Sequence, residues 1–238
     1  MSFPARLIEG YRSFLTGRLP EEQSRYRELA ERGQSPQIMV IGCCDSRVSP
    51  EVIFDARPGE LFVVRNVGNL VPPYTPDGAQ RAVSAALEYA VQVLRVKHIV
   101  VLGHGLCGGI RAYAERGAPL SPGDFIGKWM DLIKPAADAL GEPSKFASHA
   151  DYLNALEHQS TLNTIGNLLT FPCVKILAER GKLQSNLPAD RSNAEDKGVA
   201  SSQSFRRHNR PLADVSVTDR RVGRWGHRNR LPPKRIQR

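Results

Sequence analysis

Two short apolar runs constrain the fold of this 238-residue chain more than any other feature. Residues 37–43 (QIMVIGC) and 98–104 (HIVVLGH) are rich in β-branched side chains and show no alternation of apolar and polar residues. Such runs are typical of parallel strands that are covered on both faces. Residues 61–66 (LFVVRN) are a third candidate strand. We therefore predict a central, mainly parallel β-sheet flanked by helices.

Helical periods lie between and around these runs. Residues 20–32 begin with a proline and two acidic residues and end at Gly33, which are typical start and stop signals of a helix. Residues 80–96 repeat apolar side chains at helical spacing, and residues 151–183 predict one or two further helices. The alternation of strands and helices predicts an α/β fold. Residues 7–15 predict an N-terminal helix that packs on its own domain or on a partner subunit.

Composition excludes several classes of protein. A hydrophobic fraction of 41% is too high for disorder along the whole chain. The chain contains no run of about 18 apolar residues, so no membrane-spanning helix is predicted. The first residues lack the apolar core of a secretory signal. Four cysteines are too few for a disulfide scaffold in a chain of this length. We therefore expect a cytoplasmic protein with no membrane partner.

Both main strands end in residues that can bind a metal. Cys43 ends the first run, His104 ends the second, and Cys107 follows three residues later. Because sites in open α/β sheets form outside the carboxyl ends of the strands, these three side chains can converge. Two thiolates and one imidazole suit Zn²⁺, and three protein ligands leave a fourth position for water, as in catalytic zinc sites. The alternative for a lone cysteine is a small core side chain, which we expect for Cys173. We do not expect Cys44 to be a ligand.

Asp45 and Arg47 directly follow the first expected ligand. A carboxylate beside a zinc-bound water can accept its hydrogen bond and orient it, and an arginine two residues later can hold that carboxylate ionised. Zinc lowers the pKa of the water from about 15.7 toward neutrality, so that hydroxide becomes available as a nucleophile. The alternative is a surface ion pair worth less than about 1 kcal/mol.

The pattern C-x-D-S-R followed by H-x-x-C, at residues 43–47 and 104–107, resembles the β-class carbonic anhydrases. The segment RNVGN at residues 65–69 is similar to another motif of that family. The resemblance covers residues 3–184. It implies a lyase that converts CO₂ reversibly to bicarbonate and a proton by means of a zinc-bound hydroxide.

The resemblance also implies roles for individual residues. One Zn²⁺ per chain is expected on Cys43, His104 and Cys107, with Asp45 and Arg47 as the catalytic pair. A homodimer or a multiple of dimers is expected as the assembly if the C-terminus permits it.

Neutral CO₂ requires an apolar wall beside the reacting centre. Val67 and Leu70 are candidates for that wall, and ordinary packing in the core is the alternative for both. Gly108 is a further candidate for substrate contact, because a glycine allows close approach of the backbone.

Residues 185–238 depart from the family pattern. They contain 13 Lys and Arg against 5 Asp and Glu, and they carry +8 of the net charge of +9. Family members continue with an H-G-x-x-Y/F segment that adds an edge strand, so we expect that strand to be missing here. We predict a zinc domain at residues 1–184, with residues 1–35 as a helical arm. Residues 185–238 are then an Arg-rich tail that is disordered or the product of a reading-frame shift.

Three other functions compete with an active carbonic anhydrase. The altered C-terminus favours a folded but inactive or structurally impaired member of the family. A related zinc hydrolase of the same fold would act on CS₂ or COS. The tail arginines allow weak, salt-dependent contacts with phosphates, but the tail contains no recognisable nucleic-acid-binding motif, so we do not expect nucleic acid as a partner.

Overall fold

A parallel sheet built from the three apolar runs forms the centre of the protein. The computed structural model describes residues 3–79, 81–115, 125–185 and 215–216. Strand β1 (Ile38–Cys43) lies between β2 (Leu61–Asn66) and β3 (His98–His104), and all three are parallel. The predicted strands are confirmed, with β1 beginning one residue later than expected. The carboxyl ends of the three strands therefore lie side by side at one edge of the sheet.

The outer edge of β3 is paired along only part of its length in the described residues. Strand β4 (Gln184–Ser185) runs parallel to the first residues of β3, and β5 (Val215–Ser216) runs antiparallel to Gly103 and His104. Each has only two residues, so no full-length edge strand follows β3 in the part of the chain described. Residues 186–214 and 217–238 lie outside the described residues. They make up most of the tail, for which the sequence predicts disorder or a reading-frame shift.

The helices pack around the sheet and extend beyond it at the N-terminus. They are α1 (Ala5–Ser13), α2 (Leu19–Arg32), α3 (Pro50–Ile53), α4 (Ala82–Glu88), α5 (Gly108–Ala114), α6 (Phe125–Met130), α7 (Lys134–Leu140), α8 (His149–Leu168) and α9 (Pro172–Glu179). Helix α4 continues as a π-helical turn, Tyr89–Val93. Within the described ranges, no helix combines the length and the apolar character needed to cross a membrane.

The predicted helical arm is present. A π-helical turn, Phe14–Arg18, joins α1 to α2, and none of the residues in these three segments is buried. The helix predicted at residues 20–32 begins one residue earlier, at Leu19, and ends before Gly33, whose φ is 79°. We call α1, α2 and this turn the N-terminal arm.

Alternate residues of the central strands form the core. Met39 and Ile41 of β1 pack in one buried cluster with Ile99 and Val101 of β3 and with residues of α4, α8 and α9. A second cluster lies at the carboxyl end of the sheet and includes Cys43 and Cys107. Packed side chains of this second cluster therefore surround Cys43 and Cys107.

Helix α8 lies directly against the end of β3. A Cβ atom on Gly103 would lie 2.7 Å from Oγ1 of Thr161, so only glycine allows this approach. Thr161 is buried, and its hydroxyl donates to the carbonyl of Glu157 one turn earlier. This contact fixes α8 beside the strand that carries His104.

Candidate metal centre

Three buried side chains converge where β1 and β3 end. Cys43 is the last residue of β1 and His104 the last residue of β3, while Cys107 lies in the loop that leads into α5. The two sulfur atoms lie 4.0 Å apart. Both sulfurs and one imidazole nitrogen lie within 4.8 Å of one another, and all three residues are buried. The three ligands expected from the sequence thus share one site.

The ring of His104 is oriented for coordination through Nε2. Its Nδ1–H donates to the backbone carbonyl of Gly105 at 3.1 Å, which leaves the lone pair on the other nitrogen. Nε2 is buried and has no hydrogen-bond partner among the described residues. A buried acceptor without a donor is costly, and a cation between His104 and the sulfurs would satisfy it.

The two thiols ionise as a coupled pair. The hydrogen bond with Cys107 lowers the pKa of Cys43 to about 4, while the same contact and burial raise the pKa of Cys107 far above that of a free thiol. At neutral pH the pair therefore holds one proton and one negative charge. A divalent cation replaces that proton and allows both sulfurs to bind as thiolates. This donor set of two sulfurs and one nitrogen fits zinc.

Asp45 and Arg47 form a bidentate ion pair beside the three candidate ligands. Nε of Arg47 donates to Oδ1 of Asp45 at 2.9 Å, and Nη2 donates to Oδ2 at 2.8 Å. The backbone N–H of Arg47 also donates to Oδ1, at 3.0 Å. These hydrogen bonds from Arg47 hold the pKa of Asp45 well below its usual range. Asp45 is therefore an ionised acceptor throughout the physiological range.

Arg47 also connects this pair to the second ligand loop. Its Nη2 donates to the carbonyl of Leu106 at 3.0 Å, between His104 and Cys107. Leu106 has φ 55°, which is uncommon for a residue with a branched side chain. The carbonyl of Leu106 thus anchors the guanidinium that holds Asp45.

Arg65, at the end of β2, donates hydrogen bonds to the backbone of residues 43–45. Its Nε donates to the carbonyl of Cys43 at 2.8 Å, and its Nη2 donates to the carbonyl of Asp45 at 2.7 Å. The sequence places Arg65 in a family-like segment but does not indicate these contacts. They fix Asp45 relative to the thiol of Cys43.

The loop after β2 presents a backbone amide to the same sulfur. The N–H of Gly68 lies 3.4 Å from Sγ of Cys43, and Gly68 has φ 80°, a conformation that favours glycine. The side chain of Asn66 accepts from the N–H of Leu70 at 2.8 Å and donates to its carbonyl at 3.0 Å. These two hydrogen bonds, which we call the clamp from Asn66 to Leu70, close the loop.

The predicted substrate-contact residues differ in exposure. Val67 is 44% exposed, whereas Leu70 is 1% exposed and packs in the same cluster as Cys43. Gly108 is exposed at the first position of α5. A Cβ atom on the neighbouring Gly109 would lie 3.0 Å from Val67, so the two loops touch. Substrate contact by these residues stays a prediction.

Two residues that the sequence did not indicate support the centre. Glu157 of α8 accepts the backbone N–H of Cys107 at 2.8 Å. Nε1 of Trp129 donates to the carbonyl of Val67 at 2.8 Å. Cys44 is exposed and Cys173 is half-buried, and neither joins the cluster of ligands.

Comparison with known proteins gives consistent matches. Residues 38–186 match the family model described as carbonic anhydrase. The carbonic anhydrase of Pseudomonas aeruginosa is 40% identical over 177 residues, which cover 74% of this chain and 78% of the relative. The structure of the β-carbonic anhydrase CcaA is 31% identical with a TM-score of 0.70, covering 76% of this chain and 79% of that one. One of two tetrameric β-carbonic anhydrases from Sordaria macrospora is 27% identical with a TM-score of 0.65, covering 76% and 88%.

Proposed function

The chain belongs to the β-class carbonic anhydrases, and from that premise we propose the roles of its individual residues in the zinc-dependent, reversible hydration of CO₂ to bicarbonate and a proton. We propose that Cys43, His104 and Cys107 hold the zinc ion. The single observation that carries this assignment is the convergence of two sulfurs and one nitrogen within 4.8 Å at a buried site. When bound there, zinc supplies a Lewis acid that makes water a nucleophile near neutral pH.

Asp45 orients the nucleophile in this proposal. Three hydrogen bonds from Arg47 hold its carboxylate, so the direction from which Asp45 can accept a hydrogen bond from water is fixed. Because these bonds keep its pKa low, Asp45 accepts a hydrogen bond from the attacking water without retaining the proton. The water then presents its lone pair to the carbon of CO₂. Arg47 acts through Asp45 and is a positioning residue.

In this proposal, Val67 provides the apolar contact with CO₂. Its side chain is 44% exposed and lies against the loop that contains Gly109. Leu70 is almost fully buried and packs in the cluster that includes Cys43, so in this proposal it supports the site by packing rather than by contact with CO₂. The exposed Gly108 leaves room for a small substrate beside Cys107. Conversion of Val67 to Asp in the zinc-loaded enzyme should raise KM for CO₂, and an unchanged KM would remove Val67 from the substrate site.

The N-terminal arm supports assembly as a dimer or a multiple of dimers. Its exposed apolar side chains include Leu7, Ile8, Tyr11 and Leu15. A cavity of about 490 Å³ is lined by Arg25 of the arm and by apolar residues that include Val40, Phe54 and Val100. An exposed apolar surface of this kind favours association. We propose that the arm of a second copy covers it.

A cytoplasmic location belongs to the same proposal. All four cysteines are free thiols, and the cytosol keeps such thiols reduced. Fractionation of cells that express the tagged protein tests this, and recovery outside the cytoplasm would refute it.

The catalytic proposal is tested by measuring CO₂ hydration and zinc content on one preparation. Zinc near one per chain together with hydration that depends on Asp45 is the expected result. Zinc-loaded, folded protein that does not hydrate CO₂ would refute it.

A further inference from the structure

Trp129 is connected to the metal centre through a single peptide group. Its indole Nε1–H donates to the carbonyl of Val67 at 2.8 Å. The N–H of the same planar peptide belongs to Gly68 and points to Sγ of Cys43 at 3.4 Å. The indole and the sulfur thus lie at the two ends of one peptide group, although 86 residues separate Cys43 from Trp129 in the chain.

This arrangement has an electrostatic consequence. A peptide group that accepts a hydrogen bond at its oxygen is polarised, and its N–H becomes a stronger donor. A stronger N–H donor to a thiolate stabilises the charge on sulfur and limits how much of it a bound cation receives. The indole N–H therefore acts on Cys43 without touching it.

The surrounding residues hold the peptide group in place. Trp129 is half-buried and packs against both hydrophobic clusters. The clamp from Asn66 to Leu70 closes the loop on the other side. Gly68 adopts φ 80°, which turns its N–H toward the sulfur. The peptide cannot rotate freely between Trp129 and Cys43.

We propose that Trp129 is a positioning residue for the thiolate of Cys43, acting through the peptide group that joins Val67 to Gly68. This inference rests on the proposed role of Cys43 as a metal ligand. It predicts that the indole N–H, rather than the bulk of the ring, sets the electron donation from this sulfur to the metal.

The test removes the N–H and keeps the shape of the side chain. Trp129 is replaced by a benzothiophene analogue of tryptophan in a tryptophan-requiring host, with the chain's other tryptophan changed by Trp225→Phe. The cobalt-substituted protein is then compared with cobalt-substituted Trp225→Phe protein. We expect the sulfur-to-cobalt charge-transfer band to move to lower energy, because a thiolate with a weaker hydrogen bond is a better electron donor. We also expect the Gly68 amide proton in the zinc form to move upfield.

The matched control is Asn167→Ala, which removes a side-chain hydrogen bond of equal length, 2.8 Å, to the carbonyl of Val71. It should leave the charge-transfer band unchanged. A band that does not move in the analogue, or that moves equally in the control, would overturn the role of Trp129. Trp129→Phe serves as a second variant and should show the same shift. If the native protein lacks any sulfur-to-cobalt band, the proposed metal site itself is wrong.

Discussion

The sulfur atoms of Cys43 and Cys107 lie 4.0 Å apart, although 64 residues separate them in the chain. They meet because β1 and β3 are adjacent and parallel, so that both ligand loops leave the same edge of the sheet. At that separation the two thiols share one proton, and His104 offers an unpartnered Nε2 to the same space. The fold thus brings the donor atoms of a candidate cation site together from distant parts of the chain.

Asp45→Asn should abolish most of the CO₂ hydration and leave zinc bound. The amide keeps the size of the carboxylate but cannot accept the hydrogen bonds from Arg47 in the same way. Loss of an orienting acid–base group costs about 100-fold or more in rate. Stopped-flow assays with zinc analysis measure both properties. Asp138→Asn, which breaks an exposed ion pair with Lys134, is the matched control and should keep full activity. Equal activity in the two variants would remove Asp45 from the catalytic mechanism.

Binding of zinc should release protons in a pH-dependent way. Where His104 is neutral, the coupled thiols retain one proton, so about one proton should leave with each zinc bound. Burial lowers the pKa of His104, but its contact with Cys43 outweighs this and the net pKa is raised. As the pH falls through that raised pKa, His104 becomes protonated and zinc affinity should decline. Calorimetry in buffers of different ionisation enthalpy measures the proton count. Binding without proton release at pH 8 would contradict the shared proton.

The sequence predicted those parts of the fold that depend on local patterns. The three strands were predictable because their apolar runs are short and rich in β-branched residues, and the proximity of Cys43 and His104 was predictable because they end two of those runs. The supporting residues were not predictable, because tertiary packing alone brings Trp129 and Glu157 to loops 62 and 50 residues away. Leu70 illustrates the same limit: its apolar character is evident from the sequence, but its burial is not.

Gly103→Ala should destabilise the protein. The added Cβ would lie 2.7 Å from Oγ1 of Thr161, and overpacking of this kind costs about 1–3 kcal/mol. Thermal or urea unfolding measures the loss. Thr161→Ala in the same chain removes the obstructing atom and should recover part of the stability. Gly166→Ala, on an exposed face of α8 with no atom within 4 Å of the new Cβ, should be neutral or stabilising by up to about 1 kcal/mol. Equal losses at both glycines would argue against a close contact between β3 and α8.

Charge on the N-terminal arm should weaken assembly. Leu7→Glu and Tyr11→Glu alter side chains that are 57% and 62% exposed in the single chain, so they should not disturb its folding. Analytical ultracentrifugation should show a shift toward the monomer. Val93→Glu changes an exposed apolar residue outside the arm, 60% exposed, and should leave assembly intact. An unchanged oligomer in both arm variants would mean that the arm is not part of the interface.

The most direct test of the central claim combines zinc content and CO₂ hydration in the native protein and in His104→Ala. We expect about one zinc per chain and rapid hydration in the native protein, with both lost in the variant because two sulfurs alone do not complete the site. The account would be contradicted if native protein with one zinc per chain did not hydrate CO₂, or if folded His104→Ala protein kept its zinc and its activity.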